Sequence, residues 1–314
     1  MDIREAHERF ATDEQCLAYI EQMRWPDGVV RCSTCGGDNV KRVERKADSK
    51  NRRKWFYLCV EPTCHNQFTP TSGTIFHSNH LPLIVWFQAI ALMLNAKKGL
   101  SAMQLQRDLG IGGYKTAWYL NHRIREAMRE GDIPLLGGIV EVDETYIGGK
   151  MKGRGVGEAI RAKEVVIGVR QRGGELRFFH VPDATSKTLG KVIKENISKD
   201  VELVMTDELN AYPGAMIQAG IHGKKHKTIK HISGSYVRGN VHTNTVESAF
   251  SLLKRGLIGS FHRISIKHLQ RYLDGFSYRF NRRDQEDTAF PETVRRLAGF
   301  APLSFDKLTL AEKF

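Results

Sequence analysis

The reading turns on Ile139-Val140-Glu141-Val142-Asp143-Glu144-Thr145-Tyr146-Ile147-Gly148-Gly149. Its first five residues are β-branched or acidic and alternate from Val140 on, the pattern of a short strand with Asp143 at its end. Downstream, residues 164–170 and 176–181 flank Arg172-Gly173-Gly174, which reads as a hairpin. Residues 185–197 read as a helix with Leu189, Val192, Ile193 and Ile197 on one face. Residues 201–205 form another strand pattern that leads to Asp207, and the periodicity is helical from Thr245 to Leu253. This order predicts an α/β fold for residues 136–314, a mixed sheet with helices packed on it.

Upstream, residues 79–135 read as helical. Residues 83–94 are nearly all apolar, and Gly99 ends that run. Ser101 caps a second helix that Gly110 stops, and a third begins near Lys115. Two short helices around a glycine-bearing turn fit a helix-turn-helix, whose second helix would enter the major groove. The exposed positions expected there are Lys115, Thr116, Tyr119 and His122, with Arg123 and Arg125 at phosphates and Ala117, Trp118 and Ile124 facing inward. A helical hairpin that only packs is the alternative.

Residues 1–78 hold the cysteines. Thr12-Asp13 suits the cap of a helix with Cys16, Leu17, Ile20 and Met23 on one side, which makes Cys16 a core thiol. Two residues lie between Cys32 and Cys35, four between Cys59 and Cys64, and twenty-three between the pairs. Two cysteine pairs on tight turns can hold one Zn²⁺ tetrahedrally. Gly36-Gly37 suits the first turn, and Phe56-Tyr57 a strand entering the second. Free thiols, or His65 in place of Cys64, are the alternatives. Four protein ligands leave no open position, so this zinc would be structural. Between the pairs, eight of the fourteen residues 41–54 are Lys or Arg, an arm suited to phosphates or simply a solvated loop.

The chain of 314 residues is 41% hydrophobic, enough for a real core, and carries a net charge of +13. That surplus favours a polyanionic partner, DNA or RNA. No run of eighteen apolar residues exists. The opening MDIREAHERF is charged, so secretion is not expected, and the cytoplasm of a prokaryote, at the nucleoid, is the expected compartment.

Phosphoryl transfer on DNA with two metal ions needs a few carboxylates on a rigid scaffold. Asp143 and Asp207 follow strand patterns, and Glu247 opens a helical one. Lys254, seven residues after Glu247, falls on the same helix face two turns on. Each acid has a rival reading. Glu144 neighbours Asp143, and both are not expected on one face because strand neighbours alternate. Glu208 rivals Asp207, and Glu247 suits a first-turn acid facing the helix dipole. No acid occurs between Glu208 and Glu247, a stretch holding Lys224, Lys225, Lys227, Lys230, Arg238, His222, His226, His231 and His242. Flanked by metal-binding acids, it would track a DNA strand. Leu269, Tyr272, Leu273 and Phe276 are at helical spacing and read as core.

The cysteine quartet resembles the insertion-sequence DDE transposases of the ISXO2-like group, which carry an amino-terminal zinc ribbon. So do the phrase from Val142 to Gly149, Thr206-Asp207, His242-Thr243-Asn244-Thr245-Val246-Glu247 running into Leu253-Lys254-Arg255-Gly256, and the tail residues 267–273 and 278–283. The resemblance implies an RNase H-like catalytic core preceded by the ribbon and a helix-turn-helix-like segment. It implies that Asp143, Asp207 and Glu247 hold two Mg²⁺, replaceable by Mn²⁺, with Lys254 as companion cation. His242 and Asn244 lie where a ligand, a DNA contact or scaffold would stand, and Arg255 joins them as a DNA contact. It further implies metal-dependent 3′-end cleavage and strand transfer on double-stranded DNA, at element ends and target, by a homodimer or larger assembly. A DNA-binding regulator without chemistry and a structure-specific nuclease are the competing functions.

Overall fold

The computed structural model describes residues 1–46, 54–131, 133–148, 163–221, 223–229 and 243–310. They pack as two compact units: residues 1–96, 100–128 and 284–314 in one, residues 97–99 and 129–283 in the other. Packing therefore draws its lines elsewhere than at 78 and 135. The ribbon and the helical segment share a unit, and the last thirty-one residues join them instead of the α/β block.

In the first unit, α1 (Ile3–Arg9) and α2 (Asp13–Arg24) lead into the ribbon. Thr12 and Gln15 form a reciprocal capping box at the start of α2, and Cys16 is fully buried as expected. The ribbon is a three-stranded antiparallel sheet, β1 (Val40–Glu44), β2 (Trp55–Cys59) and β3 (Gln67–Phe68). The apolar run becomes α3 (Leu83–Asn95), followed by α4 (Ala102–Asp108) and α5 (Tyr114–Ala127). Ser101 caps α4 through the Gln104 N–H, and Gly110 takes the left-handed conformation that ends it. The sequence pattern missed the use made of the tail, whose unit-one part forms α10 (Glu286–Gly299) and α11 (Phe305–Thr309). Phe290 of α10 closes an aromatic cluster with Phe10, Tyr19 and Phe87.

The second unit is built on a five-stranded sheet in the order β6-β5-β4-β7-β8. The strands are β4 (Ile139–Ile147), β5 (Glu164–Gln171), β6 (Leu176–Val181), β7 (Leu203–Thr206) and β8 (His226–Thr228). The first three pair antiparallel, and β7 and β8 add in parallel. This is the RNase H-like arrangement. The helices α6 (Ser186–Asn196) and α7 (Ala211–Ala219) cover the face that holds Val140 and Val142. The other face packs on α8 (Asn244–Gly256) and α9 (Leu269–Asn281) through Val166, Phe178, Val246, Phe250 and Leu273. The edge strand β6 is not left open. Side-chain amides of α9 bond its backbone, Gln270 at Phe178 and His180, and Asn281 at both polar groups of Leu176.

One expectation needs correction here. Asp143 does not end its strand, because β4 runs on to Ile147. What ends near it is the partner: β7 pairs with β4 only as far as Glu141. Beyond Glu141 no described strand pairs with that side of β4, which leaves room for a crevice where β7 stops.

Candidate metal centre and zinc ribbon

Asp143, Glu144 and Asp207 each offer a carboxylate oxygen to a group whose atoms lie within 4.8 Å of one another. Asp207 lies one residue past β7, and its Oδ1 accepts the Leu209 N–H at 3.0 Å. Glu208, its rival, is exposed and outside the group. Asp143 lies on the same strand face as Glu141, toward α8, whereas Glu144 turns to α7, where the buried Tyr212 hydroxyl donates to its Oε2 at 2.8 Å. Strand alternation therefore holds, but the conclusion drawn from it does not. With no described strand beside β4 at this point, acids of opposite faces both reach Asp207.

Glu247 is in the first turn of α8, half-buried, with its Oε1 accepting from the Thr243 hydroxyl at 2.6 Å. It is outside the tight group of three, yet near enough for its charge to act on Asp143. Burial pushes the Asp143 carboxyl up to about 7, with the charges of Glu144, Asp207 and Glu247 adding to it. Burial and Asp207 raise Glu144 to about 6, against the opposing Tyr212 hydrogen bond. Clustered carboxylates that resist ionisation together fit a site built for a divalent cation.

Lys254 and Arg255 are exposed on the last turn of α8. Lys254 lines a cavity of about 530 Å³ with Tyr146, Gly148, Glu164, Ile258 and Arg263. Asn244 is exposed at the start of α8. Lys224 and Lys225 sit on a 3₁₀ turn that leads into the edge strand β8, and Lys225 donates to the Lys199 carbonyl. Arg238 and His242 lie outside the described residues, as do Lys230, His222 and His231.

In the ribbon, the Sγ atoms of Cys32, Cys35, Cys59 and Cys64 lie within 4.8 Å of one another. Cys32 stands 3.7 Å from Cys64, and Cys35 3.7 Å from Cys59. Four thiolates at about 2.3 Å from one tetrahedral ion are about 3.8 Å apart, so the set fits Zn²⁺. Cys64, not His65, completes it. Burial opposes ionisation of Cys32, but hydrogen bonds with the Cys35 and Thr34 N–H groups and the Cys64 and Asn66 side chains together bring the thiol down to about 6.

The α4–α5 segment departs from its expected exposure. Lys115 and Thr116 are exposed, but His122, Arg123 and Arg125 are buried. The Arg123 guanidinium donates to the Ile75 and His77 carbonyls and stacks on Trp86 at 4.7 Å. Arg125 donates to the Leu100 carbonyl. Tyr119 donates to the Leu303 carbonyl and meets the Phe305 ring of α11. His122 and Arg123 are therefore structural in this conformation, because a buried guanidinium must be hydrogen-bonded inside the protein. The apolar flanks of α5 hid this: periodicity finds a buried stripe, not how wide it is.

Sequence reasoning also missed Tyr212 and Thr243. No pattern marks Tyr212. Glu141, fully buried, did carry a signal, since it lies between two core valines.

An RNase H-like sheet with acids gathered at its open crevice, joined in one chain to a four-cysteine ribbon, defines a nucleic-acid-processing enzyme of the DDE class. Residues 135–281 match the ISXO2-like transposase domain, and residues 11–67 match the transposase zinc-ribbon domain. The chain therefore carries the ISXO2-like transposase domain together with the transposase zinc ribbon. It is also 28% identical over 288 residues to a Halobacterium salinarum protein described as an uncharacterized protein in transposable element ISH50, covering 86% of this chain and 91% of that one.

Proposed function

We propose that the protein binds the ends of its element and performs 3′-end cleavage followed by strand transfer. The observation that carries this is the meeting of Asp143 and Asp207, from two strands, at one crevice of a transposase domain. With Glu247 they would hold two Mg²⁺, which Mn²⁺ can replace. Bound there, the ions would activate the attacking oxygen and stabilise the leaving one. Water attacks the phosphorus at the element's end, the P–O3′ bond breaks, and a 3′ hydroxyl is freed. That hydroxyl then attacks a target phosphodiester and displaces its 3′ oxygen, so no protein–DNA bond is needed.

Lys254 and Arg255, exposed on the helix of Glu247, are suited to hold the DNA end by its phosphates. Lys115, Thr116 and the basic arm at Lys41, Arg42 and Lys46 offer further exposed groups for duplex DNA. Asn244 is assigned to DNA, as is the stretch carrying Lys224, Arg238 and His242. The ribbon would hold one structural Zn²⁺. No described helix is long and apolar enough to cross a membrane, and the cytoplasm, with the nucleoid as substrate, is the proposed compartment.

The test is strand transfer by the full chain with Mg²⁺ on DNA carrying the element's ends, beside Asp207→Ala. Joined products that vanish in the variant, a loss of at least about 10³-fold, are expected. Cleavage without joining would assign a nuclease, and tight binding without chemistry a regulator.

A further inference from the structure

We infer that Glu141 is a positioning residue for the proposed reaction, tying the start of α8 to β4 so that Glu247 is held opposite Asp143. Glu141 lies two residues before Asp143 on the same strand face, and Thr245 lies two residues before Glu247. The Glu141 carboxylate is fully buried. Its Oε2 accepts three hydrogen bonds from the first turn of α8: the Thr245 N–H at 3.0 Å, the Thr245 hydroxyl at 2.7 Å and the Val246 N–H at 3.1 Å.

The helix has no capping side chain of its own, because Thr243 at the N-cap spends its hydroxyl on Glu247. A residue from the sheet therefore does the capping. An acid is the fitting choice, since it meets both the unpaired N–H groups and the positive end of the helix. Arg172 balances the buried charge, with Nε 2.7 Å from Oε1 of Glu141. From the neighbouring strand, Arg170 adds a second tie by donating to the Thr245 carbonyl at 3.1 Å. None of these groups need touch metal or DNA. They set where the third acid stands, and a displacement of about 1 Å in such a site can cost about 100-fold in rate.

This inference rests on the metal-site reading above. The experiment compares full-length wild type with Glu141→Gln, Thr245→Val, Thr245→Ser and, as a control, Arg177→Gln. Arg177 is a buried arginine of the same domain that bonds the Pro134 carbonyl and Glu175. Three quantities are read: hydrogen exchange over residues 243–250, Mn²⁺ binding followed by electron paramagnetic resonance, and the kcat and KM of end cleavage. Glu141→Gln and Thr245→Val should speed exchange, weaken Mn²⁺ binding about 10-fold and lower kcat about 100-fold with KM for DNA unchanged. Thr245→Ser, which keeps the hydroxyl, should restore all three. If Glu141→Gln does not fold, Thr245→Val still decides.

Wild-type Mn²⁺ affinity and kcat in the variants would overturn the inference. So would losses no larger than those of Arg177→Gln at equal loss of Tm. A wild-type protein that neither binds Mn²⁺ nor cuts DNA would instead overturn the metal-site reading itself.

Discussion

At the residue scale, the acids of the crevice are defined by their mutual discomfort. Asp143 and Glu144 are both pushed up, to about 7 and about 6, by burial and by one another's neighbours. A carboxyl raised in the folded state favours folding while it is protonated, and that contribution is lost as pH rises through the folded value. The metal-free protein should therefore carry a penalty at this site that grows from about pH 4, the ordinary carboxylate value, to about pH 7. Asp143→Asn removes part of it. Metal-free Asp143→Asn should be more stable than wild type at pH 8, by at least about 1.4 kcal/mol for each tenfold of proton affinity relieved, and the gap should close only below about pH 4. Urea unfolding in chelator across this range measures it. A gap that widens toward acid would refute the charge clustering. By the same linkage, the proposed Mn²⁺ binding should tighten with pH, because the ion would compete with these protons.

At the scale of elements, two devices set the chemistry. The first is how closely α8 lies on the sheet. Gly168 of β5 pairs with Asp143, and a Cβ there would meet Val246 and Phe250 at 2.8 Å. Gly168→Ala must push α8 away just where it carries Glu247. The expected result is a loss of about 1–3 kcal/mol in stability together with a fall in cleavage rate larger than the stability loss explains. Full activity at unchanged Tm would show that α8 has slack. The second device is the ribbon, whose strands are short and whose knuckles converge on four sulfurs. Such a piece has little core of its own, so stripping the metal or replacing Cys59 by Ser should unfold it. Hydrogen exchange over β1–β3 should rise to the rate of open chain while β4–β7 stay protected. Unchanged exchange without zinc would remove the metal from the account of the ribbon.

At the scale of the whole molecule, charge and assembly belong together. A net charge of +13 predicts that end-DNA affinity falls at least about 10-fold between about 50 and 200 mM salt, through release of counterions. Joining two ends in one event predicts a dimer or larger on end DNA. Light scattering that finds only monomers on DNA would reject that assembly.

The order of elements, the cysteine quartet and the approach of Asp143 and Asp207 were legible in the chain itself, whereas the proposed third acid, Glu247, stands outside the tight group. Each rests on local regularity: strand alternation, helical period, a two-residue knuckle or a glycine turn. What local pattern cannot carry is which neighbour ends where. The early stop of β7 let Asp143 and Glu144, though on opposite faces of β4, both reach Asp207. The packing around α5 withdrew His122 and Arg123 from the surface, because tail residues and the Ile75 and His77 carbonyls far off in sequence fill the space around them. The capping of α8 by Glu141 is the same kind of fact, a contact across about a hundred residues. The sequence by itself determined the class of fold and the chemistry its residues can support. Tertiary structure alone decided which of those residues meet, since a side chain's role depends on partners that chain folding, not spacing, brings to it.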